Sequence, residues 1–128
     1  MAQMITSYNL DFCDLDVYEN YVISRIHEGV TTTPENLKIF AKLIDIHYKN
    51  KPFVYISHRV HSFSINPIIH AESSKIPNLM GFAVVSPDPQ QKQQFEMEKM
   101  FFKKDFRLFE TLKEAIDWKE EILKKHHD

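Results

Sequence analysis

The densest chemistry in this chain lies between positions 57 and 66. There Ser57, His58, Arg59, His61, Ser62 and Ser64 crowd together just ahead of Asn66 and Pro67. A guanidinium and several hydroxyls beside the free N–H groups of a helix start are what an anion or a phosphate group needs. The same side chains also suit a solvated loop, in which Ser and Asn satisfy nearby backbone groups. His58-x-x-His61 together with His70 has a spacing at which a metal ion could be shared. No cysteine pair and no H-E-x-x-H pattern accompanies it, so no metal is assigned. Ser57 or Ser62, a loop histidine and Asp88 supply the residue types of nucleophilic catalysis, but no G-x-S-x-G turn presents either serine, and no catalytic residue is assigned. Cys13, the lone cysteine, sits beside acidic residues that raise a thiol's pKa, the wrong direction for a nucleophile.

Other chemistries are excluded by composition. The chain has only two glycines, Gly29 and Gly81, so neither a G-x-G-x-x-G fingerprint nor a phosphate-binding P-loop can be built. Net charge is −2 with the histidines neutral, and the charges are mixed along the chain without a basic stripe, which argues against nucleic acid. The longest apolar runs, around Phe53–Ile56 and Phe82–Val85, are far too short to cross a bilayer. The segment Met1–Tyr8 lacks the basic-then-apolar pattern of a signal peptide, and a single cysteine fits a reducing compartment, so a cytoplasmic location is expected. At 128 residues, 43% hydrophobic and 27% charged, the chain suits one globular domain with its own core, here 1–128.

The elements that must position these residues follow from periodicity. Met4, Thr6, Tyr8, Leu10 and Phe12 alternate with more polar neighbours, as in a strand with one buried face. An acidic turn at Asp14–Asp16 and a strand over Tyr18–Ile26 would complete a hairpin. Thr33 and Pro34 open a helix whose apolar face carries Leu37, Phe40, Ala41, Ile44 and Tyr48, ending near Lys49–Asn50. Phe53–Ser57 and Leu79–Val85 are unbroken apolar strands of the kind buried on both faces. Between them Asn66-Pro67 opens a short helix over Pro67–Lys75, and Asp88-Pro89 opens another running to about Lys103. Phe106–Phe109 is a last short strand. Thr111 and Glu114 then form a capping box for a helix that turns Leu112, Ala115, Ile116 and Leu123 inward. The fold class expected is therefore α/β: a single domain with an N-terminal antiparallel hairpin followed by a mostly parallel sheet with helical crossovers. The parallel strands should follow chain order, with the N-terminal strand at an edge.

This order of elements resembles the SpoIIAA-like superfamily, which includes the STAS domains and a lipid-binding branch. Three segments carry the resemblance. Glu28-Gly29-Val30-Thr31 is similar to the turn those domains place after their second strand. Met80-Gly81-Phe82-Ala83-Val84-Val85 resembles their central strand. Phe109-Glu110-Thr111-Leu112-Lys113-Glu114-Ala115-Ile116-Asp117-Trp118 resembles their closing F-x-T-x-E-E-A-x-x-W segment. Trp118 also has a plain structural use, packing the last helix onto the sheet. The resemblance implies regulation rather than catalysis, with phosphorylation of a serine inside an Asp-Ser-Ser-Gly signature. Ser64 falls nearest that position, in a stretch (Ser62-Phe63-Ser64-Ile65-Asn66-Pro67) without the signature's aspartate and glycine.

Ligands of open α/β sheets bind beyond the carboxyl ends of the parallel strands. That rule selects Ser57, His58, Arg59, His61, Ser62 and Ser64, with Ser86 and Asp88 from the next strand exit and His27 and Glu28 from the previous one. Phe95, Met97, Met100 and Phe101 do not share one narrow stripe of their helix, so some are expected to stay exposed as a contact surface for a protein partner or a second copy. The leading expectation is a non-enzymatic regulatory or interaction module without a cofactor. A carrier of a small apolar, lipid or anionic ligand is the first alternative, and a small hydrolase or transferase using the 57–66 loop the second.

Overall fold

The computed structural model describes residues 4–60 and 67–125. β1 (Met4–Asn9), β2 (Cys13–Tyr18) and β3 (Tyr21–Ile26) form an antiparallel meander. From β3 the chain runs parallel through β4 (Phe53–His58), β5 (Leu79–Val85) and β6 (Asp105–Phe109). The six strands lie in chain order, so β1 and β6 are the edges. The connections carry α1 (Pro34–Tyr48), α2 (Ile68–Ser73) and α3 (Gln91–Lys99), and α4 (Leu112–Lys125) follows β6. The mixed α/β architecture is the one the periodicities predict.

The N-terminal region differs in one respect. Asp14 and Asp16 belong to β2 rather than to a turn, and the chain reverses between Tyr18 and Tyr21 instead. Cys13, Leu15 and Val17 alternate with the two aspartates, and this period-2 pattern buries one side while Asp16 pairs with Arg25 at 2.7 Å across β2 and β3. The expected hairpin is therefore a three-stranded meander.

Strand alternation builds two cores. On one face Phe40 and Tyr48 of α1 and Phe95 of α3 pack against Phe53, Phe82 and Phe106 from the sheet. On the other, Ala115, Trp118 and Ile122 of α4 pack against Val54, Ile56, Ala83 and Val85. Three successive crossovers step the same way along the sheet, which under the usual single hand of such connections stacks α1, α2 and α3 on one side and leaves the opposite side to α4. Gly81 marks the tightest approach there. A Cβ at this position would stand 3.1 Å from the Trp118 ring and 3.3 Å from an Ile122 methyl. Trp118 thus does what its structural reading expects.

Local signals hold the helices in place. Thr33 and Asn36 exchange side-chain and backbone hydrogen bonds at the start of α1, and Thr111 and Glu114 do the same for α4. The Tyr48 hydroxyl lies 2.6 Å from both Tyr18 O and Tyr21 O, tying the end of α1 to the β2–β3 turn. α3 is shorter than its sequence pattern suggests. The Asp88 carboxylate accepts from Gln90 N–H, holding residues 88–90 as a turn before the helix starts. At the other end Met100 and Phe101 turn tightly back onto Met97 O and Glu98 O. α2 is also trimmed, to Ile68–Ser73, with Pro67 at its N-cap and no side-chain cap there.

Candidate functional site

Ser57 is the penultimate residue of β4 with its side chain on the α1–α3 face, and its backbone pairs beside Ser24 of β3 and Val84 of β5. Arg59 follows the strand, held by its amide to Val85 O at 2.9 Å. Its guanidinium turns inward instead of reaching solvent, and the side chain is 2% exposed. There it meets Glu98 of α3, itself 0% exposed, in a two-pronged pair with both N···O distances 2.6 Å. Arg59 Nε donates to Ser57 Oγ at 3.2 Å and Nη1 to Gln91 Oε1 at 3.1 Å.

His70 of α2 completes the group. Its Nε2 lies 2.6 Å from Glu98 Oε1, and its ring stands edge-on to Phe82 and Phe106 at centroid distances of 4.9 and 5.2 Å. A strand exit, a short helix and a second helix thus converge on one carboxylate. Burial alone would raise the pKa of Glu98, but hydrogen bonds from Arg59 and His70, and then their charges, overcome it and hold the carboxyl down at about 2. Glu98 is therefore a carboxylate at neutral pH and only accepts, so each of its partners donates.

A cavity of about 50 Å³ opens between α1, α2 and the sheet. Apolar side chains, including Ile26, Phe40, Ile44 and Phe82, form most of its wall, and Ser57 and His70 are among the other residues that line it. His70 is fully buried, and its Nδ1 has no hydrogen-bond partner among the described residues. Tyr55, also on the wall, has its hydroxyl pKa pushed up, first by burial and then by Cys13.

The residues selected from the sequence divide sharply. Ser57 and Arg59 come together in the buried network. Ser86 and Asp88 sit at the entry to α3, where Ser86 Oγ accepts from Asp88 N–H at 3.1 Å and Ser86 is buried. His58 alternates to the α4 face of the sheet, opposite His70, so these two histidines cannot share an ion. Burial, and then Arg25, lowers the pKa of His58. His27 bonds Asp14 at 3.2 Å and the Asp11 carbonyl at 3.1 Å, away from the network. Among the described residues no group of three or more His, Cys, Asp or Glu is placed to hold a metal. His61, Ser62 and Ser64 lie outside the described residues.

The surface expected on α3 is also redrawn. Phe95 is in the core at 6% exposure, so it is removed from that surface, whereas Met97 and Met100 are 46% and 76% exposed. Phe101 is half-buried. Glu98 was not selected from the sequence, although a signal was there: Phe95, Glu98 and Phe102 fall at helical spacing on one stripe, and a carboxylate between two core phenylalanines must find a buried cation.

No helix among the described residues is long and apolar enough to cross a membrane. Comparison with protein-family models, curated proteins and solved structures returns no match for this chain.

Proposed function

We propose that this chain is a non-enzymatic binding module of SpoIIAA-like type, and that it takes a small, mainly apolar ligand in the cavity between α1, α2 and the sheet. The observation that carries the reading is this cavity, apolar over most of its wall, bordered by a fully buried histidine with one nitrogen left unpartnered. It lies beside Ser57, near the carboxyl end of β4, where ligands of open α/β sheets gather.

The competing chemistries are less well supported. Among the described residues Ser57 Oγ is engaged by Arg59 rather than by a histidine, so no nucleophile–base pairing of the kind a hydrolase needs is assembled there around it. An anion seeking Arg59 would have to displace Glu98 from a two-pronged buried pair.

Native mass spectrometry after gentle purification tests the proposal, paired with thermal unfolding against a panel of small apolar molecules. A retained adduct or a ligand-dependent rise in Tm is expected, and Ser73→Leu, which fills the cavity from α2, should abolish both. A clean apo mass with no Tm response to any member of the panel overturns it.

A second reading rests on a different observation. Met97 and Met100, three residues apart on α3, present adaptable apolar side chains to solvent, as a protein-contact face would. Pull-down with Met100→Asp tests that face, and retention of every partner counts against it.

A further inference from the structure

The sheet ends in two unlike edges. β6 carries Asp105 and Arg107, and Lys125 of α4 reaches Asp105 at 3.3 Å. Charges of this kind keep an edge strand from pairing with another chain. β1 holds no charged residue, no proline and no glycine over Met4–Asn9. Met4, Ile5, Ser7 and Asn9 are exposed, and β2 is the one strand beside β1 among the described residues.

The pairing with β2 decides which backbone groups of β1 are left over. Leu10 N–H donates to Cys13 O at 2.8 Å, so these two residues form a hydrogen-bonded pair. Such pairs alternate along an antiparallel ladder, which turns Tyr8 and Thr6 toward their partners Leu15 and Val17. Ser7 and Asn9 then point both N–H and C=O away from the sheet. The register irregularity between Met4 and Thr6 lies ahead of this stretch and leaves it regular.

The ground beside the edge is apolar. Ile39, Leu43 and His47 follow one another at four-residue spacing on α1, and His47 Nε2 lies 2.6 Å from the Tyr8 hydroxyl. That row therefore runs along the β1 side of the helix, with Ile46 next to it. Ile39 and Ile46 are exposed.

A second copy of the chain is the occupant these features fit. A two-fold contact sets a surface against itself, so any charge on β1 would meet its own sign, and β1 has none. Two-fold pairing of like edges is antiparallel, which continues the sense of β1, β2 and β3. We propose that two copies of this chain join through β1, Ser7 of each exchanging both N–H···O bonds with Asn9 of the other about an axis at Tyr8. The two sheets become one continuous sheet.

Sedimentation equilibrium and amide hydrogen exchange on the full chain, from about 1 μM to about 1 mM, test the pairing. The mass should rise to that of two chains. The Ser7 and Asn9 amides should slow about tenfold as it does, while the amides of β6 keep their rates. Ser7→Pro removes an N–H that no bond within the chain uses, and should leave a folded monomer with unchanged circular dichroism. Ser7→Lys keeps the N–H and guards against a folding defect in the proline variant. It should weaken pairing about fivefold by setting like charges across the axis. A chain that stays monomeric throughout overturns the proposal. So does a dimer in which Ser7 and Asn9 exchange as fast as in the monomer, or one that Met100→Asp dissolves and the Ser7 variants do not.

Discussion

Replacing Glu98 with glutamine removes one charge and leaves the shape, so it isolates what the carboxylate does for the buried network. Glu98 holds the Arg59 guanidinium on two prongs and His70 Nε2 on a third, all at 2.6 Å and all away from water. In Glu98→Gln the amide oxygen can still accept, but the amide nitrogen faces a guanidinium that only donates, and Arg59 keeps an uncompensated buried charge. The drop of the Glu98 pKa from 4.5 to about 2 converts by linkage to about 3 kcal/mol. That agrees with the roughly 3–5 kcal/mol lost when one member of a buried pair is removed.

Urea unfolding at pH 7 is the assay. With a slope of about 2 kcal/mol per molar, the midpoint should fall by about 1.5 M. The pH dependence follows from the sign of the shift. A depressed folded-state pKa gives stability that is fully present above the unfolded-state value near 4.5 and is lost as pH falls toward about 2. The gap between wild type and Glu98→Gln should therefore close across that window. The double replacement Arg59→Met/Glu98→Leu should recover much of the loss, because it removes both desolvated charges at once. A Glu98→Gln midpoint within about 0.3 M of wild type at pH 7, or a gap that widens on acidification, refutes the reasoning.

Two further outcomes follow from the packing. Gly81→Ala should destabilise by about 1–3 kcal/mol, since the added methyl group meets Trp118 at 3.1 Å, and Trp118→Phe in the same chain should relieve part of that clash. Equal losses in the presence and absence of Trp118, measured by a double-mutant cycle, would contradict the contact. Cys13 is fully buried, and burial, then Asp14, pushes its thiol pKa up to about 12. Its labelling by a thiol reagent at pH 8 should proceed only as fast as the chain opens, and rapid labelling of the native protein would show the thiol to be accessible.

Local chemistry made much of this fold legible. The apolar strand Leu79–Val85, the capped helix starting at Pro34 and the Thr111–Glu114 box all form where residue types and spacing place them. Each depends on neighbours within a few positions: a hydroxyl reaching a nearby N–H, or side chains alternating across a pleat. Asp14 and Asp16 look like a turn in the sequence because two aspartates stand close together. What makes them strand residues is a partner nine positions on from Asp16, Arg25, on the adjoining strand.

The site was legible by residue type but not by arrangement. Ser57 and Arg59 stand out in the sequence as polar residues at a strand exit, and their type suggests a guanidinium offered to a ligand. Tertiary structure decided otherwise by bringing Glu98 from 39 positions away and His70 from α2 onto the same point. Charges separated so far in sequence find each other only once the sheet has stacked α2 and α3 on one face, because a buried cation is tolerated only beside its counter-ion. The backbone pattern is a short-range property of the chain, whereas which arginine is available and which is locked depends on what the folded layers press against it.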